Sequence, residues 1–215
     1  SPSYKQDRNR PALAVDEVVH VGEPVAIVIA DDRYIAEDVT SLVEVEYEIL
    51  PAISDCRAAL ADGAATAHRE ASHNLIAEFD MEYGDVDAAF AGANHVFNES
   101  LFQHRGCAHS MECRGGVAYH DAALDLVTLW ASSQMPHSAL RLITKMLGRD
   151  ENQVRVITPD IGGGFGPKLV IYPEDVTLCV ASILLGRPVK WVEDRREHFI
   201  ATTQERDQYW DVEIA

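Results

Sequence analysis

Cysteine is scarce in this 215-residue chain: Cys56, Cys107, Cys113 and Cys179 are the whole set. No two form a C-x-x-C pair, and no spacing suits zinc or iron–sulfur ligation. That usage excludes a disulfide framework and points to reduced thiols in a cytoplasmic protein. His104 and His109 lie near Cys107 and Cys113, yet this spacing also fits no zinc pattern, and no metal ligand is assigned. Basic residues are few as well: 18 Lys and Arg stand against 35 Asp and Glu, a formal net charge of −17. A nucleic acid or an anionic membrane needs clustered cations to replace its counterions, so neither is an expected partner. No apolar run approaches the length of a bilayer span, and residues 1–10 are polar and charged, without the apolar core of a signal peptide. Hydrophobic residues make up 47% of the chain, enough to build one large core or two small ones.

Residues 24–30 are an apolar run between Gly22 and Asp31-Asp32, the pattern of a buried strand. Asp31 or Asp32 can cap the next segment, in which Ala36, Val39 and Leu42 have helical spacing. Val43, Val45, Tyr47 and Ile49 then alternate with glutamates, which predicts a second strand and a β-α-β unit ending at Pro51. Residues 55–74 are Ala-rich, with little apolar periodicity beyond a short helix near 56–61, and read as a linker. Further on, the pattern predicts a helix over 86–91 and strands over 95–102, 116–119 and 124–130. Pro136 opens a helix whose apolar stripe runs through Ala139, Leu140, Ile143, Met146 and Leu147 to Gly148. A strand over 153–158, a helix carrying Val176, Cys179, Val180, Ile183 and Leu184, and a strand over 189–192 follow. Glu193 to Glu197 read as a solvated charged turn with surface ion pairs. The expected class is α+β, with residues 1–54 and 75–215 as separate packing units.

The most informative stretch is Gly162-Gly163-Gly164-Phe165-Gly166, directly after a predicted strand. Glycines there allow positive φ and bring backbone N–H groups close to a ligand, although a tight turn would use them too. Two named motifs fail. A dinucleotide fingerprint needs a glycine where Pro167 stands, and a P-loop needs Gly-Lys-Ser/Thr where Pro167-Lys168-Leu169 stands. Glu174 and Asp175, opening the next helix, would also repel a phosphate.

The run from Val156 to Lys168 resembles the molybdenum hydroxylase signature, G-G-x-F-G-x-K after a strand. Ala131-Ser132-Ser133-Gln134-Met135-Pro136 resembles that family's S-x-Q-x-P segment. His109-Ser110-Met111-Glu112 and the stretch from Arg187 to Glu197 match further segments. Gly22-Glu23-Pro24-Val25-Ala26, with Val45-Glu46-Tyr47-Glu48 and Leu50-Pro51, resembles the smaller α/β hammerhead domain. The family includes xanthine dehydrogenase, aldehyde oxidase and aerobic carbon monoxide dehydrogenase. The resemblance implies that residues 1–54 are the C-terminal part of a hammerhead domain and 75–215 the first part of a molybdenum-cofactor domain.

By the same resemblance, Gly163, Gly164, Phe165 and Gly166 would line the metal's pocket and contact the pterin, expected in its cytosine dinucleotide form. Gln134 would donate a hydrogen bond to an oxygen ligand of the metal; from the residues alone it is a solvent-facing helix-start residue. The family's catalytic glutamate and the cysteine loop of its carbon monoxide branch belong to later parts of the subunit. Iron–sulfur clusters and FAD would sit on partner subunits or other domains, so the 215-residue piece by itself is expected to be inactive. Oxidation of an aldehyde or N-heterocycle is one implied activity and oxidation of carbon monoxide another; a non-catalytic binding module is the alternative of a different class. Purine-oxidising members carry a glutamate after the loop lysine, where Leu169 stands here, so xanthine is expected to be a poor substrate.

Overall fold

The computed structural model describes residues 11–215 and the strand β1 (Ser3–Tyr4). After β1 come α1 (Arg33–Thr40), β2 (Ala77–Glu78), α2 (Val86–Ala91), β3 (Phe97–Gln103), β4 (Gly115–Asp121) and β5 (Leu126–Ala131). They are followed by α3 (Pro136–Leu147), β6 (Val154–Ile157), α4 (Pro173–Leu185), β7 (Val189–Val192), α5 (Arg195–Ala201) and β8 (Gln208–Ile214). Contacts gather the described residues into two units: Ser3–Tyr4, 49–106 and 205–215 in one, residues 11–48 and 107–204 in the other.

The core belongs to the second unit. Its four-stranded sheet has the order β6-β5-β4-β7, with β5 and β6 parallel and β4 antiparallel to both β5 and β7. Strands running the same way need a crossover, and the apolar stripe of α3 supplies it. Ala139 and Ile143 of α3, Val176, Leu178 and Cys179 of α4, and Ala118, Val127, Leu129 and Val154 of the strands make one buried cluster. Burial pushes the Cys179 thiol up to about 12, so it stays a neutral packing group. Pro136 starts α3 and Gly148 ends it in the left-handed region, as the sequence predicts; α4 starts at Pro173 and ends at Gly186 in the same way. Ser182 Oγ, buried on α4, accepts from His120 N–H and donates to the Arg187 carbonyl, fastening the helix to β4 and to the turn before β7.

Asp32 caps α1, its Oδ1 accepting from Ile35 N–H at 2.9 Å. The two flanking strands expected at 24–30 and 43–49 are not formed: both segments run without ladder partners among the described residues. An apolar or alternating pattern makes a strand only where a partner completes its hydrogen bonds. Gly22 (φ +89°) occupies a turn in which Glu23 N–H reaches the His20 carbonyl, and a Cβ there would lie 2.6 Å from the Ile200 carbonyl oxygen.

In the first unit β3 and β8 form an antiparallel pair from Phe97↔Ile214 to Gln103↔Gln208. The Ala-rich stretch has a single 3₁₀ turn, Ala58–Leu60, and Asn74 organises it by accepting from Ala67 N–H and donating to the Ala59 and Ala65 carbonyls. Tyr209 of β8 donates to Asp55 at 2.6 Å and lies under the Arg57 guanidinium.

Leu129 is fully buried between α4 and the sheet. Leu129→Ala should therefore destabilise this unit by about 3 kcal/mol, measured by denaturant unfolding, whereas a loss below about 1 kcal/mol would show that the site collapses around the cavity.

Candidate cofactor site

The strand directions decide where the signature residues meet. Strands β5, β6 and β7 all finish at the sheet edge where antiparallel β4 begins, as the pairings Gly116↔Ala131 and Gly115↔Val192 show. Four segments therefore share that edge: residues 109–114, 132–134, 158–168 and 193–195. Crevices at the carboxyl ends of parallel strands are the usual ligand sites of such sheets.

The glycine loop and Gln134 are in direct contact. Gln134 Oε1 accepts from Gly166 N–H at 3.2 Å, and its backbone N–H donates to the Lys168 carbonyl at 2.8 Å. A Cβ on Gly164 would lie 2.4 Å from Gln134 Cδ, so only glycine lets that side chain cross the loop. Gly163 has φ +98° and Gly166 φ +104°, conformations an L side chain rarely adopts. Between them Phe165, at φ +54°, holds its ring 73% exposed. A non-glycine residue in that region is strained, and here the strain presents an aromatic ring to the open side of the loop. The N–H groups of Gly163, Gly164 and Phe165 make no hydrogen bond among the described residues. Leu169 is exposed beside the loop, its N–H donating to the Gly166 carbonyl.

Two carboxylates support this edge. The first is Glu112, whose Oε2 accepts from Lys168 Nζ at 2.6 Å and from Ser132 Oγ and Gly162 N–H at 2.9 Å each. Burial would raise this carboxyl, but its donors, Lys168 foremost, hold it below the ordinary glutamate range.

The second is Glu193, whose side chain is fully buried. Its oxygens accept from Arg114 N–H, Nε and Nη2, and His198 Nδ1 lies 2.8 Å from Oε2. Burial acts upward on Glu193 too, and the Arg114 contacts outweigh it. Arg114 also lies over the Tyr172 ring, 3.5 Å from its centroid, and forms a 2.6 Å ion pair with Glu174. Tyr172 in turn donates to the Pro167 carbonyl at 2.6 Å, linking this hub to the end of the glycine loop. Arg195 donates to the Ser110 and Met111 carbonyls.

Glu193 to Glu197 are thus no solvated turn. Glu193 is a buried anchor, and Asp194 and Glu197 form a reciprocal cap that starts α5. The sequence signal for it is Asp194-x-x-Glu197, a capping box set within a dense run of charge.

Among the described residues one trio, Cys113, Glu193 and His198, has potential metal-ligand atoms within 4.8 Å of one another. The Arg114 guanidinium already neutralises its carboxylate, taking the place a cation would occupy. His104 and Cys107 are not part of that trio.

Comparison with known proteins shows the family. Residues 67–215 match the family model for the molybdopterin cofactor-binding domain, and residues 2–51 that for the α/β hammerhead domain of aldehyde oxidase and xanthine dehydrogenase. The chain belongs to this molybdopterin-binding family. It is 40% identical over 205 residues to the nicotine 6-hydroxylase large subunit of Paenarthrobacter nicotinovorans, covering 95% of this chain and 25% of that protein. It is 42% identical over 221 residues to the carbon monoxide dehydrogenase large chain of Hydrogenophaga pseudoflava, covering 95% and 27%. Quinoline 2-oxidoreductase from Pseudomonas putida 86 superposes with a TM-score of 0.91 at 34% identity, over 100% of this chain and 28% of that one. The chain therefore spans about a quarter of the length of these relatives.

Replacing Glu193 by Gln should destabilise the protein at pH 7 by about 3 kcal/mol, because the buried Arg114 guanidinium loses the carboxylate that takes its Nε and Nη2. The Glu193 carboxyl is depressed in the fold, so its contribution is present above the ordinary glutamate value of 4.5 and fades as pH falls through the lowered folded value. The gap between wild type and Glu193→Gln in unfolding free energy should shrink below pH 4.5. A gap independent of pH would contradict the assignment.

Proposed function

We propose that this chain is part of the catalytic subunit of a molybdenum hydroxylase that oxidises an N-heterocycle or an aldehyde with oxygen derived from water. The observation that carries the reading is the glycine loop: three consecutive N–H groups without partners among the described residues, beside a glutamine whose Oε1 is engaged. Those groups suit a large polar cofactor, and at 163 and 164 any side chain would collide with the Phe165 ring or with Gln134. The division into a hammerhead part at 1–54, a linker at 55–74 and a cofactor domain at 75–215 belongs to the same proposal.

When bound, the cofactor supplies a Lewis-acidic metal and a two-electron redox centre. The residues of this chain hold and orient it. Gly163, Gly164 and Phe165 offer backbone donors. Gln134, with Oε1 held by Gly166, keeps Nε2 to donate toward the reacting oxygen. The Phe165 ring and Leu169 form an apolar wall against which a planar substrate rests. In the net reaction a substrate C–H becomes C–OH with oxygen from water, and two electrons and two protons leave. Iron–sulfur clusters and FAD, on partner subunits or other domains, would accept the electrons. The pterin is proposed as the cytosine dinucleotide form, the assembly as cytoplasmic, and the base that activates water as a group from the remainder of the subunit.

Nicotine and quinoline, named for two relatives, are both N-heterocycles, which favours that substrate class. Carbon monoxide oxidation is the second reading, favoured by the 42% identity to a carbon monoxide dehydrogenase large chain.

In the complete enzyme, Gln134→Ala should lower kcat/KM about a hundredfold at unchanged molybdenum content, by loss of one aligned donor. Phe165→Ala should also impair oxidation. Quinoline or an aromatic aldehyde should be used with a higher kcat/KM than xanthine, whose polar edges an apolar Leu169 leaves unpaired. Wild-type rates in both variants, or a preference for xanthine, would contradict this reading.

A further inference from the structure

We propose that Glu112 is the positioning residue of the glycine loop, a latch through which a single carboxylate oxygen fixes both ends of the loop and the segment carrying Gln134. The inference rests on the cofactor reading of the loop but is carried by contacts of its own.

Oε2 of Glu112 meets three donors from two chain segments. Gly162 N–H opens the glycine loop and Lys168 Nζ closes it, so one atom sets the distance across the loop mouth. Ser132 Oγ belongs to the segment that reaches Gln134 two residues later. Because Gln134 N–H donates to the Lys168 carbonyl, the same lysine ties the glutamine segment to the loop a second time. The attachment of Glu112 is itself two-stranded: its N–H donates to the Gly162 carbonyl, and its carbonyl accepts from Ser110 Oγ at 2.6 Å. Gly162 is needed for this approach, since a Cβ there would stand 2.7 Å from Glu112 Cβ.

The charge balance makes the latch stiff. The Lys168 side chain has no solvent exposure, and Glu112 is its one partner among the described residues. A buried ammonium without a counter-ion is strongly unfavourable, so Lys168 in its buried position stays on Glu112. Its own lysine thereby pins the loop. The N–H groups of Gly163 to Phe165, which lie between the pinned ends, are held ready for a ligand at no ordering cost when it arrives. Glu112 does not touch that ligand in this account; it acts through Gly162, Lys168 and Ser132.

The test uses the complete subunit carrying this chain, prepared with and without cofactor, as wild type, Glu112→Gln, Lys168→Met and Glu112→Gln/Lys168→Met. Amide hydrogen exchange in the cofactor-free protein reads the latch, and molybdenum and pterin content of the loaded protein reads its purpose. Glu112→Gln should speed exchange at Gly162, Gly166 and Leu169 roughly tenfold or more, the loss of charge-assisted hydrogen bonds. The amides of β4 and β5 should keep their wild-type rates. The double variant buries no unpaired charge but still lacks the carboxylate, so it should keep fast exchange in the loop while any loss of sheet protection is repaired. Molybdenum content should fall in Glu112→Gln and stay low in the double variant. Unchanged loop exchange in Glu112→Gln, or an equal rise across the sheet, would overturn the latch. A locally loosened loop that still takes up full molybdenum would overturn its role in holding the cofactor. Local loosening in a protein whose wild type takes up no molybdenum would support the latch and overturn only the cofactor reading.

Discussion

A parallel strand pair cannot be closed by a tight turn, and this constraint organises the site. Strands β5 and β6 run side by side in one direction, so the chain must leave their common end, cross through α3 and return. The loop that leaves β5 carries Gln134, and the loop that leaves β6 carries the glycines. Neither loop needs a long excursion to find the other. Antiparallel β4 adds Glu112 and Arg114 at the same edge, just before its first residue, and β7 delivers Glu193. Residues 20 to 80 positions apart in sequence become neighbours because four strands agree on one edge.

That edge is polar, and burial of Lys168, Arg114 and Glu193 within it raises the cost of leaving any of them unpaired. The fold answers with two separate charge balances. Glu112 pairs with Lys168 on the glycine loop, and Glu193 and Glu174 pair with Arg114. Burial alone would drive the carboxyls toward their neutral forms, as it raises Glu174 and Asp175. Glu112 and Glu193 escape because each collects several donors on its oxygens. Tyr172 joins the two balances, stacking under Arg114 while its hydroxyl holds the Pro167 carbonyl.

Much of this was legible in the sequence. Helices α3 and α4 and strand β7 follow from apolar periodicity bounded by proline and glycine, and the glycine loop falls where the pattern put it. Gln134 was legible through the resemblance alone, since nothing in an isolated glutamine before a helix announces that a glycine will lie against it. What escaped depends on partners distant in the chain. The segments 24–30 and 43–49 have strand patterns, yet a pattern supplies no hydrogen-bond partner. The run Glu193 to Glu197 reads as surface because it is charged, and only the arrival of Arg114 from 79 residues away makes Glu193 an interior residue. Strand β8 follows the same logic, taking its structure from pairing with β3. The role of Glu112 has the least sequence signal, because it consists of three contacts converging on one oxygen atom.

The central claim is that this edge is built to carry a molybdenum–pterin cofactor through a loop that only glycine can form. Gly164→Ala probes it most directly, because a Cβ at that position would lie 2.4 Å from Gln134 Cδ and displace the side chain from the loop. Molybdenum and pterin content, measured on the complete subunit of each form after purification, decides the matter. The account predicts that the wild-type subunit carries both in near-stoichiometric amount and that Gly164→Ala loses most of each while its sheet remains folded. Full molybdenum and pterin in the alanine variant, or none in the wild type, would contradict it.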